Sequence, residues 1–553
     1  MTKRIPRIWV VLVPVIIAAI QIHAFWVVSD EVAASAGWLM DDAFFYAVIA
    51  GHLVERGALE FYPGMETNGV QPLWMFAVAA AHWAVDAVTP VEWIRYLSAG
   101  AYLLFVALVM ALMSRQAGEG RIAASLVAVF VLLQPDFQAW VLNGMETAVT
   151  LVVLVVTMMQ TCRLASSDEG RSHFEWVVLA LLGALCFFAR TDLFVVSLIL
   201  AVWVFREHGV GRQLAVFVGT SALLVTPYLA FNFIYFDRLV PLSGQAKQFY
   251  LSTYHGTLQS YFTSNEWRGL FHAFSVLVPV GRGGSGFVVE LLLNALSALT
   301  MAIPVLAGYF ALRSRECLGE YPTVTVLRWF AIIAGVHLFV MVFYHRGLRP
   351  YNDYYFAPTV IIGCIIVAIA VERWIQRLQE QHSAGNWRRL RLGAGVLLAA
   401  WIVVLGVQTV DAWRTDDHEH WSQRVTLAAD LDEFAPADAS VGAYWPGGLA
   451  YFSKHEVIPL DGIIASAEFQ RDVMRNKEAL QYLCEMENPY LVVLLRQGLS
   501  GLSQRDEPPE VEEWAWAFKA EMWTHGVEHF EVVSHRPVAG EESGWYLLRV
   551  DPC

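Results

Sequence analysis

Cysteine, charge and nucleotide-binding loops are all scarce in this chain. Its 553 residues include six cysteines, at positions 162, 186, 317, 364, 484 and 553. They are scattered, with no CxxC and no Cys/His cluster, so neither a structural zinc site nor a disulfide framework is indicated. Only Cys484 and Cys553 lie clear of the apolar runs, where they would be free to pair in an oxidising compartment. Charged residues make up 16% of the chain. No segment is basic enough to track a phosphate backbone, which excludes nucleic acid as a partner. A phosphate-binding loop is also missing. The run GRGGSG at 281–286 lacks the required Lys-Ser/Thr and reads as a flexible loop. Repeats and low-complexity tracts are absent as well.

Apolar residues fill the space. They make up 57% of the chain, with a mean hydropathy of +0.47, against about 45–50% in soluble domains. This is a membrane protein by composition. Apolar runs fall near 8–28, 92–113, 121–134, 146–161, 174–189, 193–206, 213–235, 287–312, 325–343, 355–373 and 391–408. They predict about eleven transmembrane helices. The first follows MTKRIPR and lacks a small-residue cleavage site, so it reads as an uncleaved anchor with its N-terminus in the cytoplasm. The stretch 70–85 is short and begins Gln71-Pro72, and it reads as a helix in the outer interface. That choice places Arg115/Arg121, Arg163/Arg171, Arg206/Arg212, Arg313/Arg315 and Arg373 through Arg391 in inner loops, as the positive-inside rule requires.

Charge also divides the chain. From Asp411 onward there are 26 Asp and Glu against 11 Lys and Arg, a net of −15 out of −14 for the whole. The expected architecture is therefore mainly α: a polytopic membrane domain over 1–408, with a first extracytoplasmic loop at 29–91, and a soluble extracytoplasmic domain over 409–553. The latter reads as α/β or α+β. LVVLL (491–495) and WYLLRV (545–550) read as strands, 440–462 as small strands between Gly/Pro turns, and 468–485 as a helix.

The chemistry centres on Asp41-Asp42, just beyond the first apolar run. A carboxylate pair near lipid is costly and needs a reason. Other unusual polar groups fall on the same outer side: Glu66, Asn68, Gln71, Glu146, Arg190, Asp192, Lys247, Arg346 and Arg349. A carboxylate that deprotonates a hydroxyl, and cations that hold an anionic phosphate, together suit group transfer from a lipid phosphate. Adjacent carboxylates also repel, so one raised pKa or a bound divalent cation such as Mg²⁺ or Mn²⁺ at Asp41 and Asp42 is the alternative outcome. Plainer readings stand beside these. Asp41-Asp42 would cap the helix that follows, Arg190-Thr191-Asp192 would break two short spans, His337 would be a core residue, and Trp38, Trp74, Trp83, Trp93 and Trp140 would anchor the interface.

The segments in order resemble the GT-C superfamily of polytopic glycosyltransferases, in particular bacterial arabinofuranosyltransferase-like and related lipid-linked sugar transferases. DDAFFYAVIAGHLVERGALEFYPGMETNGVQPLW (41–74) is similar to that family's first extracytoplasmic loop, and LNGMETA (142–148) to its S-G-x-E-T-A motif. FFARTD (187–192) is similar to its A-R-P-E/D turn, TPYLAFNFIYFDRLVPLSGQAKQ (226–248) to its stretch ending in Lys, and VGAYWPGGLAYFSKHEVIPLDG (441–462) to the start of its C-terminal domain. Asn68 stands where many relatives have Glu, and Thr191 where Pro is usual. The resemblance implies an enzyme of a bacterial inner membrane. Its donor would be a polyprenyl-phosphate sugar, and its acceptor a cell-envelope glycan, lipid or protein. Asp41 or Asp42 would be the base, Glu146 would line the cavity, and Lys247 with one of Arg190, Arg346 or Arg349 would face the donor phosphate. A flippase for a lipid-linked glycan, or a non-catalytic envelope scaffold, are the rival readings.

Overall fold

The computed structural model describes residues 7–27, 39–116, 135–166, 172–254, 322–344, 354–381, 418–476, 478–495, 530–537 and 544–550. The expected spans at 121–134, 287–312 and 391–408, and the candidate residues Arg346 and Arg349, lie outside them.

The first part is helical. α1 (Arg7–Val27) and α2 (Asp41–Arg56) precede a small hairpin of β1 (Glu60–Tyr62) and β2 (Met65–Glu66). Then come α3 (Pro72–Ala84), α4 (Pro90–Gln116), α5 (Pro135–Leu142), α6 (Thr147–Ser166), α7 (His173–Ala189), α8 (Phe194–His208), α9 (Arg212–Phe236), α10 (Leu242–Tyr254), α11 (Pro322–Tyr344) and α12 (Ala357–Gln381). Three of them, at 90–114, 147–166 and 212–236, are long and apolar enough to cross a membrane.

The physics of lipid shows in two of these helices. Thr150, Thr157, Thr161 and Ser166 of α6 each return their hydroxyl to the carbonyl four residues back. Polar side chains are thus satisfied within their own helix, where lipid offers no partner. α9 packs against α7 and α8 but leaves Leu223 and Ile234 about three-quarters exposed. Such an apolar face suits lipid rather than water. The bundle core is a zipper of Tyr102, Phe105, Phe137, Leu151, Leu154, Trp176 and Trp203 between α4, α5, α6, α7 and α8.

α3 does not behave as a simple interface helix. Trp74, expected as a belt anchor, is fully buried and donates its indole N–H to the Gly144 carbonyl at 3.0 Å, while Trp83 stays 76% exposed. A buried carbonyl in the α5–α6 turn needs that donor.

The acidic C-terminal part builds a five-stranded mixed sheet. α13 (His418–Phe434), β3 (Ser440–Ala443), α14 (Gly447–Phe452), β4 (Val457–Pro459), α15 (Ala479–Cys484), β5 (Pro489–Leu495), β6 (Phe530–Pro537) and β7 (Gly544–Val550) follow in sequence. The strand order is β4-β3-β5-β7-β6, with β3 parallel to β4 and β5 and the other pairs antiparallel. Successive residues serve opposite faces, as pleating dictates. Leu491 and Leu548 pack on one side with Ile458 and Leu480; Val492 and Leu547 pack on the other with Leu427 and Leu431 of α13. Within 440–462 the stretch Gly447–Phe452 is helical rather than a strand or turn. The helix expected over 468–485 is broken: a π-helical turn, Phe469–Met474, and α15 are separated at 475–478. Cys484 is disulfide-bonded, with its partner outside the described residues.

Candidate active site

α2 begins at Asp41, so the two carboxylates are its first turn, and Met40 rather than either Asp is the capping residue. Consecutive residues on a helix diverge by about 100°, so the pair splits. Asp41 is buried. Its Oδ1 accepts the Gly448 N–H at 2.8 Å and its Oδ2 the Gly447 N–H at 3.1 Å. Both donors are free because they open α14, whose first N–H groups have no intrahelical acceptor. Asp42 points elsewhere. Its side chain keeps 18% exposure, and its Oδ2 lies 3.5 Å from Lys247 Nζ of α10.

Lys247 is held in place. Its ammonium donates to the Tyr355 hydroxyl at 2.7 Å and lies 5.2 Å from that ring's centroid. Burial opposes its charge, but Tyr355 and Asp42 outweigh burial and keep the lysine above its ordinary range. The same Tyr355 ring carries the Arg190 guanidinium at 4.7 Å on a cation–π contact and stacks on Tyr354 at 4.5 Å.

Beneath this pair runs a buried polar chain. The Gln71 N–H donates to the Tyr46 hydroxyl at 3.1 Å, and Tyr46 donates to Glu146 Oε2 at 3.1 Å. Glu146 Oε1 lies 4.0 Å from Arg190 Nε. Arg190 is fully buried and forks onto Asp192, at 3.1 and 2.8 Å. His337 joins Asp192 Oδ2 at 2.8 Å through Nε2, and Thr359 at 2.8 Å through Nδ1. Burial raises the Glu146 carboxyl, only partly offset by Arg190. Burial also acts on Asp192, but Arg190 and His337 win and hold it well below the ordinary carboxylate range. Arg190 is thus spent inside the protein, although the sequence suggested it for a substrate phosphate. His337 is a core residue, as its plainer reading held, but one that bonds the helix break.

The remaining candidates separate. Gln71 Oε1 accepts the Thr191 N–H at 3.1 Å, tying α3 to the break between α7 and α8. Asn68 is buried, and its Oδ1 accepts the Leu242 N–H at 3.0 Å, pinning the start of α10 and hence Lys247. Glu66 sits exposed on β2, in register with Glu60 of β1.

Sequence reasoning overlooked Tyr46, Tyr355, Gly447, Gly448 and Asp461. Tyr46 stands four residues after Asp42, one turn along the same helix face, which was a usable signal. Asp461 has none, being one acid in an acidic tract. It is 3% exposed and accepts the Ile463 N–H at 3.0 Å and the Trp445 N–H at 3.4 Å. Burial pushes its carboxyl up to about 7; the charges of Asp42 and Asp41 add to this, against the two N–H bonds.

The acidic pair does not form a metal cluster among the described residues. Asp41 faces two N–H groups and Asp42 an ammonium, and among the described residues no three His, Cys, Asp or Glu converge.

No protein-family model matches the chain, and no curated protein matches it. Solved structures do. ArnT from Cupriavidus metallidurans bound to undecaprenyl phosphate aligns with a TM-score of 0.51 at 13% identity, over 97% of each chain. The Archaeoglobus fulgidus oligosaccharyltransferase in complex with Zn and sulfate aligns with a TM-score of 0.54 at 13% identity, over 97% of this chain and 72% of that one. The chain shares the overall fold of these two structures.

Proposed function

We propose that the protein is an inverting glycosyltransferase that moves a sugar from a polyprenyl-phosphate donor to a hydroxyl of a cell-envelope acceptor, outside the cytoplasmic membrane. The observation that carries this reading is the Asp42–Lys247 pair: a carboxylate with an accessible edge beside a braced ammonium, at one end of an apolar bundle. Asp42 takes the proton of the acceptor hydroxyl. The oxygen attacks the anomeric carbon from the face opposite the phosphate, the C–O bond to phosphate breaks, and its electron pair leaves on the lipid phosphate. Lys247 balances the charge that develops there. Undecaprenyl phosphate in the ArnT structure supports a lipid-phosphate donor for a chain of this fold. The Cys484 disulfide supports an oxidising compartment for the C-terminal sheet. Asp41, with both oxygens engaged by backbone N–H groups, positions α14 rather than acting as base.

Membranes containing the protein are to be given a panel of radiolabelled polyprenyl-phosphate sugars and an envelope extract as acceptor. Wild type is expected to transfer one of them, and Asp42→Asn to lose about 10²–10⁴-fold, the usual worth of a general base. Transfer is expected to survive EDTA, because the position beside Asp42 belongs to Lys247. Undiminished transfer by Asp42→Asn would sink the assignment, and loss in EDTA would restore a cation to the acidic pair.

A further inference from the structure

A cavity of about 510 Å³ opens on the far side of α10 from Asp42, between that helix and the π-helical turn Phe469–Met474. This size falls within the roughly 300–1,000 Å³ of small-molecule sites. Arg238, Arg471 and Arg475 line it together with the amides Gln245, Gln248 and Gln470, and no Asp or Glu does. Arg471 and Arg475 come from the acidic stretch beyond Asp411, and Arg238 from the start of the segment that carries α10. Three guanidinium groups converging on one cavity suit an anionic occupant.

Arg471 is the most available of the three: it pairs along the surface with Asp472 at 2.7 Å, both side chains more than half exposed, with Glu468 and Asp237 also near enough to favour its charge. Arg238 is more enclosed: its Nη1 donates to the Asp237 carbonyl at 2.7 Å and to Asp237 Oδ2 at 3.0 Å, and its Nε to Gln245 Oε1 at 3.0 Å. The exposed Arg471–Asp472 pair holds weakly, so an incoming anion displaces it at little cost. Planar guanidinium forks suit carboxylate and phosphate, and the Gln248 amide suits a sugar hydroxyl.

The cavity is mechanically joined to the reaction site. Gln248 lines the cavity, whereas its chain neighbour Lys247 faces Asp42. The two sites therefore lie about one helix diameter apart, on the order of 10 Å. Gln470 donates to the Leu242 carbonyl at 3.0 Å and to the Gly462 carbonyl at 2.6 Å. It thereby ties the cavity floor to the start of α10 and to the turn that carries Asp461.

We propose that this cavity is an acceptor subsite for an acidic glycan, in which a carboxylate or phosphate a short distance from the attacking hydroxyl is gripped by Arg471, Arg475 and Arg238. This rests on the glycosyltransferase reading for its role but not for its binding chemistry. The test is calorimetric titration of the full-length protein in detergent, using Asp42→Asn so that no turnover intervenes. The probes are a short oligogalacturonate, a neutral malto-oligosaccharide of equal length and glucose 6-phosphate, with inorganic phosphate as competitor. The oligogalacturonate or the sugar phosphate is expected to bind about tenfold or more tighter than the neutral probe, a difference of about 1.4 kcal/mol. Arg475→Ala and Arg471→Ala are each expected to weaken it several-fold, and Arg475→Glu to abolish it. Both are exposed, so their variants fold. Preference for oligogalacturonate assigns a carboxylate, and preference for glucose 6-phosphate, displaced by inorganic phosphate, assigns a phosphate. Equal binding of acidic and neutral probes, no binding at all, or arginine variants that bind like the parent would overturn the subsite. Failure of sugar transfer with anion binding intact would instead count against the proposed reaction alone.

Discussion

Two neighbouring carboxylates meet different fates because a helix turns between them. Asp41 is neutralised by the N–H groups of Gly447 and Gly448, and Asp42 by a lysine that is itself partly exposed. The separation predicts different kinetics: Asp41→Asn keeps one acceptor but turns an amide NH₂ toward the second N–H. It is expected to lower thermal stability and to reduce transfer modestly, whereas Asp42→Asn, which leaves Lys247 to Tyr355, is expected to cost some stability as well but to lower transfer by about 10²–10⁴-fold. Thermal unfolding in detergent, run beside the sugar-transfer assay, distinguishes them; equal losses in both assays for both variants would refute the division. Asp461 gives a second test, in pH. Its folded carboxyl titrates at about 7, against about 3.9 when unfolded. Between those values the folded state holds a proton that the unfolded state has released, so stability falls as pH rises through that window. The full penalty, on the order of 4 kcal/mol, is present above pH 7. Asp461→Asn removes the titration but turns an amide NH₂ toward one of the two N–H groups at every pH. The unfolding temperature of the variant minus that of wild type is therefore expected to rise from pH 5 to pH 8. Parallel curves for the two proteins would show that the carboxyl is ionised throughout.

At the scale of elements, α14 is the piece on which the site depends and the piece the sequence concealed. Long apolar runs announced α4, α6, α7, α8 and α9 to within a few residues, because lipid demands length and hydrophobicity together. WPGGLAYF carries turn residues instead, and its helix is stabilised by a partner far away in the chain. Phe44 packs on Tyr451 and Phe452 at 5.7 and 5.4 Å, while Asp41 binds the helix start. Only the folded chain supplies those contacts. The same holds for Tyr355, whose role arises from Lys247 and Arg190 meeting over one ring. Asp41, Asp42 and Lys247 drew attention in the sequence because polar groups beside apolar runs stand out; Asp461 did not, because acids are common around it. Gly447 makes the dependence testable. A Cβ there would strike the Asp41 backbone oxygen and the Phe45 ring. Gly447→Val is expected to pry α14 from α2, at a cost of about 2–4 kcal/mol through lost charge-assisted bonds and overpacking. Gly100→Ala, whose Cβ meets nothing within 4 Å and which lies inside α4, serves as the control and is expected to be unchanged or about 1 kcal/mol more stable. Equal unfolding midpoints for the two variants would mean that α14 does not bear on α2.

For the molecule as a whole, charge is sorted to the two ends of the bundle. Asp42, Glu146, Arg190 and Lys247 gather where α2, α6, α7 and α10 meet. Arg163 with its partner Glu175, and Arg206 and Arg212 near the α8–α9 turn, lie at the opposite ends of α6, α7, α8 and α9. Lysine and arginine retained on the cytoplasmic side by the positive-inside rule would put the latter end inside. The Asp42–Lys247 pair and the acidic sheet would then face out, where Cys484 can stay oxidised. Reporter fusions decide this. Alkaline phosphatase joined after Val550 is expected to be active and green fluorescent protein at the same point dark; fusions after Arg163 or Arg206 should show the reverse. A thiol reagent that cannot cross the membrane should label Cys484 in whole cells only after reduction. The opposite fusion pattern would place the Asp42–Lys247 pair in the cytoplasm, where a nucleotide sugar rather than a lipid-linked one would be the available donor, and the donor class proposed for this site would have to change with it.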